Sequence, residues 1–153
     1  MAIRGYKRKK GKSMIQAKKH LYGGIQYKSG LEMKMAKVLT GLNIPFQYEP
    51  TKFTLMEGFH FDVDSFERQS NGKGEYKNRG NKKVLPITYT PDFIGRGWII
   101  ETKGFAGDVF PLKWKLFKDW IEKNDSGVTL YKPQCQKECE LTGELILKLY
   151  NND

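Results

Sequence analysis

"YTPDFIGRGWIIETKG", residues 89–104, holds two apolar runs on either side of a glycine-flanked turn. The wider segments "LPITYTPDFI" (85–94) and "GWIIETKG" (97–104) read as two strands joined by the short turn Gly95-Arg96-Gly97. Alternation along 98–103 places Ile99, Glu101 and Lys103 on one face and Trp98, Ile100 and Thr102 on the other. Glu101 and Lys103 therefore emerge side by side from an otherwise apolar strand. Asp92, just after Pro91 on the preceding strand, is returned toward them by the turn. Two carboxylates and an ammonium on one patch suit Mg²⁺, which binds through one or two carboxylates and keeps several waters. A metal so held polarises a phosphodiester and acidifies its bound water. Lys103 is then placed to orient or help deprotonate that water, or to stabilise charge on the phosphate. Taken alone, the same residues also read as a surface cross-strand ion pair, Asp92 with Lys103, of little energetic consequence.

Working outward, "SGLEMKMAKVLTGLNIPF" (29–46) has Ser29 as a candidate N-cap and Glu32 three residues on, the spacing of a capping box. Leu31, Met35, Val38, Leu39 and Leu42 follow helical spacing. "PFQYEPTKFTL" (45–55) reads as a strand, with Pro50 marking an edge or a bulge. Residues 57–83 are polar and Gly/Asn-rich, expected as a long loop or an exposed hairpin. A second helix spans 113–123, with Leu112, Leu116, Phe117, Trp120 and Ile121 sharing a face; Trp114 and Trp120 are expected in the core or at its rim. Lys113, Lys115 and Lys118 lie on its more polar side, suiting either phosphate contact or solvent. "VTLYKP" (128–133) is a short strand, and the period of "ELTGELILKLY" (140–150) does not decide between helix and strand. This order predicts one α/β domain with a mixed central sheet flanked by helices.

Charge divides the chain unevenly. Its 153 residues carry a formal +10. Arg4, Lys7, Arg8, Lys9, Lys10, Lys12, Lys18, Lys19 and Lys28 make the first 28 residues strongly basic, with no Asp or Glu among them. A basic arm (1–28) on a nearly neutral body (29–153) points to a polyanion partner, most simply nucleic acid. The bland alternative is a solubilising tail. Tyr6, Tyr22 and Tyr27 lie among these charges at positions suited to base stacking. No stretch approaches the ~20 apolar residues needed to span a bilayer. No apolar signal-peptide core opens the chain, and the two cysteines suit a reducing cytoplasm. Cys135 and Cys139 with distant His20 and His60 make a weak zinc pattern. No phosphate-cradling GxxxxGK[ST] loop is present, so no nucleotide cofactor is expected.

"TPDF" followed by "ETKG" resembles the signature of the PD-(D/E)xK nucleases, here Pro91-Asp92 and then Glu101-Thr102-Lys103. With "SGLE" opening a helix and "IPFQYEPTKF" leading into a strand, the layout from Ser29 to Tyr131 is similar to phage endonuclease I, a family of Holliday-junction resolvases. The resemblance implies a restriction-endonuclease-like core. It implies a metal-dependent endodeoxyribonuclease using Mg²⁺, with Mn²⁺ accepted, on branched DNA such as a four-way junction. It assigns Asp92, Glu101 and the Thr102 backbone carbonyl to the metal, Lys103 to catalysis, and Glu32 to the same site from its helix. It further implies a homodimer, with 57–83 in the region that links two strand-exchanged halves and helps shape the junction-binding surface, and the cytoplasm of an infected cell as the location; the longer, Gly-rich segment here either preserves that dimer or lets the chain close on itself as a monomer. One departure stands in "FQYE": Gln47 occupies a position where the family has glutamate, with Glu49 two residues later. Two alternatives remain: a phage nuclease of the same fold acting on ordinary duplex or single-stranded DNA, and a non-catalytic DNA-binding module.

Overall fold

The computed structural model describes residues 20–105 and 107–151. Strands β1 (His20–Tyr22) and β2 (Ile25–Tyr27) form a small antiparallel hairpin over Gly23 and Gly24. Residues 20–27, expected as part of an irregular arm, therefore form a hairpin, and residues 1–19 of that arm lie outside the described residues. Tyr27 is 1% exposed and packs in the core against Tyr48 and Phe93, so it is not available for base stacking.

Helix α1 (Gly30–Gly41) starts where the capping signals place it: Ser29 is extended and its hydroxyl accepts from Glu32 N–H at 3.1 Å. Met35, Ala36 and Leu39 form its buried face. The expected strand 45–55 is instead split into β3 (Gln47–Tyr48) and β4 (Phe53–Met56). Glu49 sits at φ +45 between them, and Pro50 follows with no N–H to donate. That corner sends β3 into the main sheet and β4 out of it.

Of the two expectations for 57–83, a long loop or an exposed hairpin, the hairpin is found, with β5 (Phe59–Phe61), β6 (Phe66–Glu67), β7 (Lys77–Asn78) and β8 (Lys82–Val84). Strand β5 pairs with β8 and β6 with β7, both antiparallel. The ribbon is rooted in the pairing of β4 with β9 (Ile87–Tyr89). Next come β10 (Phe93–Gly95), β11 (Trp98–Ile100), α2 (Phe110–Asn124), β12 (Thr129–Tyr131) and α3 (Gln136–Asn151). The undecided C-terminal segment is thus helical. The run 85–94 is not one strand, because β9 and β10 belong to different sheets on either side of Pro91.

The main sheet has the order β12-β11-β10-β3 and is mixed: β11 and β12 are parallel, the other pairs antiparallel. A parallel neighbour requires a crossover, which α2 supplies. Alternation along β11 divides the core. Trp98 and Ile100 pack with Phe93 and with Met35, Leu39 and Ile146 of α1 and α3. Ile99 points the other way, into Tyr89, Trp114, Phe117 and Ile121. The chain is therefore a mixed α/β fold with helices on both faces of the sheet. Leu112, expected on the buried face of α2, is exposed because it falls in the first turn, ahead of the contact with the sheet.

The hairpin turn is shorter than expected, since Gly95 pairs with Trp98 and leaves only Arg96 and Gly97 in the loop. A Cβ on Gly95 would meet the Trp98 ring at 2.1 Å, so the indole lies directly over the glycine. The Trp98 indole N–H donates to the Tyr150 hydroxyl at 2.8 Å, tying α3 to the strand that leads to Glu101. Among the described residues, no helix is long and apolar enough to cross a membrane.

Candidate active site

The pairing of Phe93 with Ile100, carried one step further, sets Asp92 opposite Glu101. Beyond β11 the backbone stays in register with the neighbouring chain. Glu101 N–H donates to Tyr131 O at 3.0 Å and Lys103 N–H to Pro133 O at 2.9 Å. Thr102 lies between them and faces the other way. Its N–H and its hydroxyl donate to Asp92 Oδ2 at 2.7 and 2.6 Å. In extended backbone a residue's C=O points to the same side as its N–H, so the Thr102 carbonyl is directed to the Asp92 side.

Glu32 reaches the same place from the first turn of α1. Its Oε2 accepts from the Tyr48 hydroxyl at 2.5 Å and from Lys28 N–H at 3.0 Å. The capping-box spacing thus holds, but the carboxylate reaches past the N-cap to the residue before it. Glu101 is held similarly: Oε2 accepts from the Tyr89 hydroxyl at 2.6 Å, and Oε1 from Lys103 Nζ at 3.3 Å. Lys103 Nζ also lies 4.4 Å from the centre of the Phe110 ring, which fixes the ammonium between α2 and the carboxylate. Glu101 has both oxygens held by donors, whereas Asp92 and Glu32 each have one. Asp92 Oδ1 and Glu32 Oε1 have no partner among the described residues.

Asp92, Glu101 and Glu32 are all buried, yet they line one open cleft of about 480 Å³ with Lys28, Glu49, Lys103 and Lys113. Burial, then the Glu101 charge, push the Asp92 carboxyl up from 3.8 to about 7 despite the two bonds from Thr102. Burial also raises Glu101, with the Tyr89 bond and the Lys103 charge working against it. Burial and the adjacent carboxylates raise the hydroxyls of Tyr48 and Tyr89, so both remain protonated donors. At the rim, Lys28 is raised chiefly by its hydrogen bond to Glu49, with which it forms an ion pair.

Among the described residues, no three His, Cys, Asp or Glu side chains come together as a preassembled metal cluster. The donor set here is smaller and of a different kind: two buried carboxylates on paired strands, with a backbone carbonyl aimed beside them. Oxygen donors alone, two of them anionic and disfavouring each other's ionisation, fit a hard divalent cation that retains water.

The structure brings Glu32, Asp92, Glu101, Thr102 and Lys103 to one cleft. Gln47 is not part of it. Its strand pairs it with Ile94, and it lines a separate shallow depression with Pro45, Phe46 and Arg96. Glu49 does line the cleft, because the positive-φ corner after Tyr48 turns the chain there and its N–H donates to Asp92 O at 2.8 Å. Of the lysines on α2, Lys113 lines the cleft. Arg4, Lys7, Arg8, Lys9, Lys10, Lys12, Lys18 and Lys19 fall outside the described residues. Cys135 is exposed, and Cys139 is buried with its thiol pushed up by burial to about 11. Sequence reasoning overlooked Tyr48 and Tyr89 and placed Lys28 only in the basic arm, whereas it lines the cleft. A buried tyrosine needs a partner for its hydroxyl, and that requirement was the available signal for the first two. The chain matches no known family profile, no curated protein and no solved structure.

Proposed function

We propose that the protein is a Mg²⁺-dependent DNA endonuclease with a restriction-endonuclease-like core, similar to phage endonuclease I, hydrolysing phosphodiester bonds in branched DNA. One observation carries this reading. Asp92 and Glu101 are buried opposite each other in an open cleft, beside Thr102 and Lys103. Two buried carboxylates are electrostatically costly unless a cation or a proton intervenes, and a binding surface for a polyanion has no use for them. Asp92, Glu101 and the Thr102 carbonyl would hold the cation, with Glu32 at its edge. A bound Mg²⁺ supplies Lewis acidity to the phosphate and a more acidic water.

The chain's own residues prepare the site. Thr102 orients Asp92 by two hydrogen bonds, Tyr89 orients Glu101, and Tyr48 orients Glu32. Lys103 presents a positive charge where the phosphate would enter, held by Glu101 and Phe110. Lys28 and Lys113 add cations at the rim, offsetting the repulsion between acidic cleft and DNA backbone. The basic N-terminal segment adds sequence-independent affinity, which falls steeply with salt. A symmetric dimer would present two such sites to opposed strands of a junction.

A second reading is a nuclease of the same fold acting on ordinary duplex or single-stranded DNA, since nothing in the cleft's carboxylates and lysines is specific to a branch point. Cleavage of a four-way junction and of a matched linear duplex, each with Mg²⁺ or EDTA, tests both. Mg²⁺-dependent cleavage of the junction in preference to the duplex is expected. Equal cleavage leaves the second reading, and no cleavage with Mg²⁺ or Mn²⁺ removes the enzyme.

A further inference from the structure

Part of the chain's exposed apolar surface flanks the cleft, where a polyanion would enter. Phe105 is 88% exposed, more than any other exposed large hydrophobic side chain among the described residues. It lies two residues beyond Lys103, so its Cα is at most ~7 Å from that of Lys103. Val109 and Leu112 are exposed as well. Val109 is the N-cap of α2 and lines the cleft with Phe110 and Lys113. Leu112, three residues on, lies on the same side of the first helical turn. None of the three packs against either core cluster, so the fold does not explain them. A valine makes no side-chain hydrogen bond at an N-cap, where Ser, Thr, Asp or Asn is favoured. Single exposed apolar residues need no explanation, but three grouped around the start of α2 at the mouth of a cleft mark a contact surface.

Cations interleave with this surface. Lys103 Nζ lies 4.4 Å and Lys132 Nζ 6.0 Å from the centre of the Phe110 ring, so one ring sets both ammonium groups at the start of α2. The Phe110 and Trp114 rings stack with centres 5.9 Å apart, and Lys132 also lies 5.9 Å from the Trp114 ring. Lys113 and Lys132 form no ion pair among the described residues. A ligand that fits here is flat and apolar in one part and anionic in another. A nucleotide has that composition, whereas an apolar protein face would leave the lysines unmatched. In a continuous duplex both faces of each base are covered by its neighbours. They are free only where stacking is interrupted, at a branch, a bulge or a single strand.

We propose that Phe105, together with Val109 and Leu112, receives a base that has left the duplex stack next to the phosphate in the cleft, while Lys113 and Lys132 hold the flanking phosphates. The inference rests on the nuclease reading of that cleft. It names what sets the substrate: DNA with an unstacked base beside the bond to be cut. Stacking on an aromatic ring accepts any base, so the preference is for DNA structure rather than sequence. The apolar rim thus supplies a selectivity that the carboxylates and lysines of the cleft do not have.

The test measures binding of the full chain, in EDTA so that nothing is cut, to a continuous duplex and to the same duplex carrying one extrahelical 2-aminopurine. The wild type should bind the bulged duplex more tightly and alter its 2-aminopurine emission. Phe105→Ala should lose roughly 5- to 100-fold in affinity for the bulged duplex and less than about twofold for the continuous one. Phe105→Trp should restore the preference, and Leu141→Ala, exposed on α3, should change neither affinity. The affinity lost in Phe105→Ala should be independent of salt, because stacking releases no counterions. Equal losses on both duplexes, or none on the bulged one, overturn the proposal, as does a wild type that binds the two alike. A lower mass of Phe105→Ala by light scattering also overturns it, assigning the surface to self-association. Intact Mg²⁺-dependent cleavage with the wild-type preference kept in Phe105→Ala sinks the rim alone. A preference that depends on Phe105, without cleavage of any DNA, sinks the nuclease alone.

Discussion

Asp92→Asn offers the sharpest separation of a metal site from an ordinary buried carboxylate. The Asp92 carboxyl is raised from 3.8 to about 7 in the folded chain, first by burial and then by Glu101. A carboxyl whose folded value lies above its unfolded one stabilises the fold fully below the unfolded value. That contribution is lost as pH rises through the folded value. The window here is therefore pH 4 to 7, and the whole effect is about 4 kcal/mol at 1.36 kcal/mol per pH unit. Between pH 5 and pH 8 the loss is about 2–3 kcal/mol, or roughly 5–10 °C in Tm for a domain of this size. Asparagine can still accept from Thr102 N–H and hydroxyl, but it cannot ionise. In EDTA at pH 8 the variant should be more stable than the wild type, and its Tm should fall less between pH 5 and pH 8. Adding Mg²⁺ or Mn²⁺ at pH 8 should stabilise the wild type by several degrees and leave Asp92→Asn nearly unmoved. Thermal melts at the two pH values, with and without divalent cation, measure all of this. Identical pH dependence in the two proteins, or equal stabilisation by the cation, would refute the reasoning.

Three further outcomes follow from the same geometry. Glu101→Gln and Lys103→Ala should each lower single-turnover DNA cleavage by at least ~100-fold while DNA affinity in EDTA changes little, because both groups act on the reacting phosphate. Tyr89→Phe leaves Glu101 Oε2 without its 2.6 Å donor. It should cost about 1–3 kcal/mol of stability and weaken divalent binding, as read by denaturant melts and a Mn²⁺ titration. Gly95→Ala forces a methyl into the Trp98 ring and should destabilise the chain by about 1–3 kcal/mol or more, seen as a lower urea midpoint.

The sheet and its site were readable where a single strand's alternation decides matters. Ile99, Glu101 and Lys103 do share a face, and Trp98 and Ile100 do enter the opposite core. Ser29 and Glu32 marked the start of α1 because capping is local chemistry. What escaped the sequence depends on contacts between distant segments. Tyr27 and Lys28 look like the end of a basic tail, but β1 and β2 fold back so that Tyr27 meets Phe93 and Lys28 meets Glu32 and Glu49. The break at Glu49 requires a positive φ in a residue that seldom takes one, and nothing in "FQYEP" other than Pro50 announces it. That break moves Glu49 into the cleft and leaves Gln47 outside. The concern over Gln47 thus belongs to a neighbouring surface rather than to the carboxylates of the cleft.

The rooting of the hairpin ribbon in a single antiparallel pair bears on how such a chain can change over generations. Residues inserted between β4 and β9 in matched pairs, one on each strand, preserve register and leave the sheet, the clusters beneath it and Asp92 undisturbed. Each added pair lengthens the ribbon by about 3.3 Å and turns the faces of its distal part over, so that a second pair restores them. A length polymorphism in this one segment would then change the ribbon's reach in steps of two pairs, with no substitution needed in the residues around Asp92 and Glu101.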